Sequence, residues 1–366
     1  MKVLSIIDSF KGTISSKRLN ELVTLELEKK GHCVDSITIA DGGDGFLDAI
    51  CGILRNVESK KVIVNDPLFR KIESEYLVDS LNNTAYIELA KASGINLLKK
   101  DELNPFIAST YGLGELIFDA INSGIKKIII GIGGSATNDG GSGMLEALGV
   151  KFYDENNDLI NHVSNAKFKK IKRIDDSLFL ERISNIEFIT LSDVENPLLG
   201  KTGATYIFSP QKGAKEEALE ELESNMKYYS EFKKEKRDNP GSGAAGGVGY
   251  ALNEYFNATF FPGMDYLLDL IRFDELVKKY DVIITGEGKV DIQSLLGKVI
   301  FKVASRCINK RVIIVCALNE LKDINLKDYN ISEVYSVVSN KLKITKEDSM
   351  RNPEECFQKL LKEEVL

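Results

Sequence analysis

Acids, lysines and glycines recur in this sequence at one kind of place, directly after a short apolar run. "VLSII" leads into "DSFKG" (Asp8–Gly12), "CVDSITI" into "ADGGDG" (Ala40–Gly45), and "KKIII" into "GIGGSATNDGGSG" (Gly131–Gly143). "IEFITL" leads into "SDVENPL" (Ser192–Leu198) and "DVIIT" into "GEGKVDIQS" (Gly286–Ser294). Successive backbone N–H groups in glycine-rich loops bind phosphate or carboxylate without any net positive charge. The segment Gly131–Gly143 spends six glycines in thirteen residues, a large entropic cost for an ordinary loop. We expect it to form a cradle of backbone amides, closed by the start of a helix over "SGMLEALG". "PGSGAAGGVGYAL" (Pro240–Leu252) repeats the pattern, with ligand contact and tight helix packing as its two readings. The two histidines, His32 and His162, sit in polar stretches. Acid–base chemistry therefore falls to carboxylates or lysines.

Two nucleotide signatures come close and fail. "GIGGSA" fits G-x-G-x-x-A, with Asp154 at the ribose-binding distance, but the helix that must start at once would hold Asn138, Asp139, Gly140 and Gly141. Each helical glycine costs about 1 kcal/mol, so that start is poor. "ENPLLGKT" ends like a phosphate-binding loop, yet it carries Glu195 where glycine is needed and Pro197 where a donor is needed.

These residues need a scaffold that gathers strand ends. Val3–Asp8, the helical pattern "SSKRLNELVTLELEKKG" and "CVDSITIA" make a strand–helix–strand unit, which builds parallel sheet. "DVIIT", a helix near "SLLGKVIFKVASRC", "RVIIVCA", "EVYSVV" and a closing helix from Pro353 repeat it at the other end. The first and last portions can share one sheet. Between them lie a hairpin ("IESEYLVDS", "TAYIELA"), the helix "LGELIFDAINSG", the strands "KKIIIGI" and "IEFITLSDV", and a charged helix over "KEEALEELESNMKYYSEFKKEKR". We expect an inserted middle domain. In open α/β sheets ligands bind beyond the carboxyl ends of strands, where all five polar motifs fall.

Composition limits the partners. The 366 residues are 43% hydrophobic and 28% charged, with a net charge of −7. That is a globular mix with no basic field for nucleic acid or an anionic membrane surface. The five cysteines are scattered without a CxxC pair, which points away from disulfides and zinc and toward a reducing compartment. The N-terminus is too short for a signal peptide, and no apolar run approaches the ~18 residues of a membrane span. Together these features predict a cytoplasmic protein. Oligomeric state is not set by the sequence.

Taken in order, "DSFKG", "ADGGDG", "GIGGSATNDGG", "DVENPLLGKTGA", "PQKGA", "PGSGAAGGVG" and "TGEGKVDIQSLLGK" resemble the bacterial glycerate kinases of the glycerate 2-kinase type over nearly the whole chain. The resemblance implies ATP-dependent phosphorylation of D-glycerate with Mg2+, at the 2-hydroxyl, giving 2-phospho-D-glycerate and ADP. Alternatives are phosphorylation at the 3-hydroxyl, a related hydroxy acid, or a non-catalytic nucleotide or carboxylate sensor; a nicotinamide dehydrogenase ranks below them. It implies an α/β fold of two domains. A flavodoxin- or Rossmann-like domain with a mainly parallel sheet would span 1–75 plus 281–366. An inserted restriction-endonuclease-like domain with a mixed sheet would span 76–280, with the active site in the cleft between them.

Phosphoryl transfer asks for held phosphates, neutralised charge and a group that orients the attacking hydroxyl. On the resemblance, Gly133, Gly134, Ser135 and Asn138 would cradle phosphate. Gly286, Glu287 and Lys298 would also serve ATP. Asp8, Ser9, Asp41 and Lys212 would bind substrate. Asp193 would be the base and Lys11 would neutralise the transferred phosphate or grip the substrate carboxylate, with Lys212 and Lys298 as competitors. Asp139 and Asp291 would hold Mg2+, with Asp139 and Asp193 exchangeable between base and metal ligand. The chain departs from the family pattern at Asp44, Phe46, Leu113, Ser192, Ser209 and Leu318.

Overall fold

The structure is a computed structural model. It describes residues 1–366 except 41, 234, 237, 296–298 and 322–323, and only the backbone of 293. Along the chain run the strands β1 (Lys2–Ile7), β2 (Cys33–Ser36), β3 (Val57–Asn65), β4 (Lys71–Asp79), β5 (Thr84–Glu88), β6 (Lys127–Gly131) and β7 (Lys151–Tyr153). Then come β8 (Leu159–Ile160), β9 (Arg173–Asp175), β10 (Glu187–Leu191), β11 (Thr259–Phe261), β12 (Val282–Val290), β13 (Arg311–Asn319) and β14 (Glu333–Ser336). The chain divides into two compact units: Met1–Asp41, Asp48–Arg55 and Gly263–Leu366 form the first, and Gly42–Leu47 and Asn56–Pro262 the second.

In the first unit five strands lie in the order β14-β13-β12-β1-β2, all parallel. Counted within the unit this is 2-1-3-4-5, the flavodoxin-like order, whose switch point lies between β1 and β12. Both faces are apolar because buried strand residues alternate. Val3, Ile7, Val282 and Ile284 pack with Leu19, Leu22 and Val23 of the Ser16–Lys29 helix and with Phe357 and Leu360 of the Pro353–Glu363 helix. Leu4, Ile6 and Ile283 pack on the other face with Met264, Leu268, Val299, Ile300 and Val303. A sheet covered by helices on both faces follows from parallel strands joined by crossovers. Ser15 caps the first helix through Arg18 N.

The end of β1 is fixed by buried Asn20. Its Oδ1 accepts from Ser5 Oγ at 2.7 Å and from Ile7 N at 3.2 Å, while Nδ2 donates to Ile7 O at 3.1 Å and Ser16 O at 2.8 Å. One amide thereby sets the point at which the chain turns into Asp8.

The second unit has a mixed six-stranded sheet, β11-β10-β6-β5-β4-β3. β11, β10, β6 and β5 are parallel, and β4 and β3 antiparallel. A small antiparallel sheet, β8-β7-β9, accompanies it. β3 and β4 pair into this sheet, so the first unit's opening stretch ends at Arg55 rather than at 75. The Gly263–Leu270 helix packs on the first unit's sheet, so that unit resumes at 263 rather than 281. No helix among the described residues is long and apolar enough to cross a membrane.

Candidate functional site

In the first unit the predicted residues gather where β1 and β12 end. Asp8 N donates to Gly286 O at 2.9 Å, and Asp8 Oδ1 accepts from Ser9 N at 2.7 Å. Gly286 must be glycine: a Cβ there would lie 1.8 Å from Val315 O on the neighbouring strand. Lys11 is exposed on the same loop, and Glu287 follows half-buried on β12. Asp291 accepts from Ser294 N at 3.2 Å and lies 3.5 Å from Lys289 Nζ. Asp8, Ser9 and Gly286 are thus brought together at the switch point, with Lys11 on the Asp8 loop and Glu287 and Asp291 following Gly286. Asp41 and Lys298 lie outside the described residues.

In the second unit, Gly131–Gly143 leaves β6 beside the ends of its neighbours. Ile132 N donates to Leu191 O at 3.3 Å, Leu89 N to Gly131 O at 2.9 Å and Gly133 N to Gly42 O at 3.1 Å. Asp193 is exposed two residues beyond β10. Ser135 is held by an antiparallel bridge to Gly94. Lys212 reaches it from the short turn Pro210–Lys212: Nζ donates to Ser135 Oγ and to Thr137 O, each at 2.7 Å. Burial pushes this ammonium down to about 7, opposed by the charge of Asp139.

Asp139 faces inward and is fully buried. Its Oδ2 accepts from Thr110 N and Oγ1 at 2.8 Å each and from Gly143 N at 3.2 Å; Oδ1 accepts from Gly141 N at 3.2 Å. Burial pushes its pKa up and these donors pull it back. A carboxylate engaged in this way organises the loop and has no oxygen turned to solvent for a metal.

The same geometry corrects the expected helix-start cradle. The Ser142–Ala147 helix spends its first N–H groups internally, Gly143 on Asp139 and Met144 on Thr110 Oγ1 at 2.9 Å. No helix follows Gly131 directly, and β7, before Asp154, lies in the small sheet. The dinucleotide geometry is absent. Of the two readings of Pro240–Leu252, packing carries it: a Cβ on Gly246 would fall 1.9 Å from Thr137 O. Leu113 and Phe46 are buried packing residues, so their departures from the family pattern bear on packing.

Sequence reasoning missed Glu88, although its signal, an acid ending an apolar strand, is the one used elsewhere. Its Oε1 accepts from Gly45 N at 3.3 Å and Oε2 from Leu47 N at 3.0 Å. It thereby fixes the "GGDG" turn. Burial pushes this carboxyl up to about 7. Against an ordinary value of 4.5, the folded state binds the proton more tightly. Its contribution to stability is therefore full below about 4.5 and is lost as pH rises through about 7. Glu88→Gln should remove this part of the pH dependence, and thermal unfolding of both proteins between pH 4.5 and 8 measures it. Parallel curves would contradict the assignment.

Among the described residues no group of three or more His, Cys, Asp or Glu side chains could enclose a metal ion. Mg2+ is commonly held by one or two carboxylates, waters and substrate phosphates. Asp193 and Asp291 fit that donor set, and Asp139 does not.

The model of the Glycerate kinase family matches residues 3–364. A glycerate kinase of Halalkalibacterium halodurans is 42% identical over 267 residues, covering 72% of this chain and 70% of its own. The glycerate 2-kinase of Escherichia coli K12 is 36% identical over 313 residues, covering 83% and 81%. A crystal structure from Salmonella typhimurium LT2, solved under the name glycerate kinase 2, superposes with a TM-score of 0.80 at 31% identity, covering 99% of this chain and 96% of that one.

Proposed function

The chain belongs to the glycerate kinase family, and on that premise we propose that it transfers the γ-phosphoryl group of ATP to the 2-hydroxyl of D-glycerate. The products are 2-phospho-D-glycerate and ADP. The observation that carries this is the 36% identity over 313 residues to a glycerate 2-kinase. The carboxylates, lysines and glycines beyond the strand ends of both sheets support it.

Asp193 accepts the hydroxyl proton as that oxygen attacks the γ-phosphorus and the bond to the ADP oxygen breaks. Exposure after β10 suits it to the task. Gly134 and Ser135 bind phosphate; Gly133 N is already given to Gly42 O, and Asn138, expected in this cradle, is fully buried with its amide donating to Thr205 Oγ1 at 3.4 Å. Lys11 neutralises the transferred group; Asp8 and Ser9 orient the substrate. Gly286 and Glu287 serve the nucleotide. Asp291 would hold Mg2+, which would supply neutralisation of the phosphate oxygens' charge. Asp139 serves as an internal cap.

ADP release from ATP, Mg2+ and D-glycerate, coupled onward to enolase without a mutase, tests the proposal. ADP with an enolase signal is the expected result. ADP without it would move the reaction to the 3-hydroxyl. No ADP would overturn the kinase reading for this substrate.

A further inference from the structure

Lys212 was expected to meet the substrate, yet it is 2% exposed and its Nζ points at Ser135 Oγ and Thr137 O. We infer that Lys212 is a positioning residue that serves the phosphate site through the hydroxyl of Ser135. This rests on the kinase reading above.

The geometry has three parts. Lys212 is carried on a tight turn, with Lys212 N donating to Ser209 O at 3.0 Å and Gly213 N to Pro210 O at 3.1 Å. Ser135 is held on the other side, with Ile95 N donating to Gly134 O at 2.8 Å and Ala136 N to Ser93 O at 2.9 Å. Because the ammonium donates to Ser135 Oγ, that oxygen is the acceptor in the pair. The serine proton is left for another acceptor, and no described residue supplies one. A hydroxyl oxygen polarised by a buried cation is a strengthened donor to an anion.

A second observation concerns the polar atoms around this contact. Thr137 Oγ1 and Ser209 Oγ, on the two segments that Lys212 ties together, are fully buried without hydrogen-bond partners. Buried polar atoms are normally paired, so such orphans mark where a bound molecule or water completes the set. The partners of Nζ on the 131–143 segment are the neutral Ser135 Oγ and Thr137 O. Asp139 is the ionisable group whose charge reaches it. With the ammonium pushed down to about 7, the cation is present below that pH and is lost above it in the unliganded protein. Above that pH, phosphate binding is expected to draw a proton onto the lysine.

The test compares wild type, Ser135→Ala, Lys212→Met and the double variant from pH 6 to 9. It measures kcat/KM for MgATP with D-glycerate and, separately, calorimetric binding of MgATP alone. The expected wild-type result is a fall of about tenfold or more between pH 7 and 9. Ser135→Ala, which leaves the lysine bond to Thr137 O in place, should flatten that alkaline fall and lower kcat/KM at pH 6.5 by roughly 10–100-fold. The double variant should be no worse than either single one, as for residues acting as a unit. If Ser135→Ala keeps the wild-type pH profile, or the two losses multiply, the inference fails. Should Lys212→Met not fold, Ser135→Ala alone decides. An inactive wild type whose MgATP binding still shows the serine-dependent pH fall would overturn the kinase reading and leave this one standing. An active wild type with no such fall would do the reverse.

Discussion

Asp193→Asn is expected to lower kcat by roughly two to four orders of magnitude while leaving MgATP affinity and thermal stability near wild type. General-base catalysis is worth about 10²–10⁴-fold, and asparagine keeps the shape while removing the proton acceptor. Asp193 is exposed and lies beyond the end of β10, where substitutions usually cost little stability. Calorimetry with MgATP, a thermal melt and a steady-state assay separate the effects. A variant with wild-type kcat would remove Asp193 from the chemistry. One with normal kcat at saturation but a much raised KM would make it a binding group instead.

Gly246→Ala is expected to lower stability by about 3 kcal/mol or more. Backbone conformation alone does not account for this. Neighbouring Ala245 adopts φ 54° with its methyl in place, and Gly246 has φ 68°. Close approach decides: the new Cβ would lie 1.9 Å from Thr137 O and 2.8 Å from Thr137 C, so two buried backbones must part. Overpacking of a filled interior costs about 1–3 kcal/mol, and a left-handed non-glycine residue adds about 1–3. Separation also strains the bond from Gly140 N to Gly246 O, 3.0 Å long. At roughly 2–4 °C per kcal/mol for a domain of this size class, the melting temperature should fall by about 6 °C or more. A fall under 2 °C would mean that the segments give way easily. Thr137 O also accepts from Lys212, so the surviving folded fraction should bind MgATP more weakly.

Much of the scaffold was legible because its signals are local. Apolar runs ending in Asp8, Gly131 and Gly286 marked the parallel strands, and Ser15 and Pro353 marked helix starts. β3 escaped because Glu58, Lys60 and Lys61 interrupt its pattern at the edge of the sheet, and β11 because it has only three residues. The unit boundary moved with β3 and β4, whose partners are set by pairing rather than by composition. The direction of a side chain was the least legible feature. "NDGGSG" does not reveal that Asp139 turns inward to Thr110, or that the glycines of 240–252 make room for the backbone at Thr137. Those partners are distant in sequence. Lys212 was selected for its charge, and burial assigns it to Ser135.

The parallel pairing of β1 with β12 has a consequence for synthesis. Val3 pairs with Val282, and Ile6 with Thr285, so β1 must wait for more than two hundred further residues before its principal neighbour leaves the ribosome. Asn56–Pro262 is continuous and emerges in between, with its own apolar core available to close first. A chain that grows from its N-terminus folds its domains in the order in which they are complete. Until β12 arrives, β1 is an apolar segment with only β2 to pair with, and the interval between the two is when this protein has most need of a chaperone.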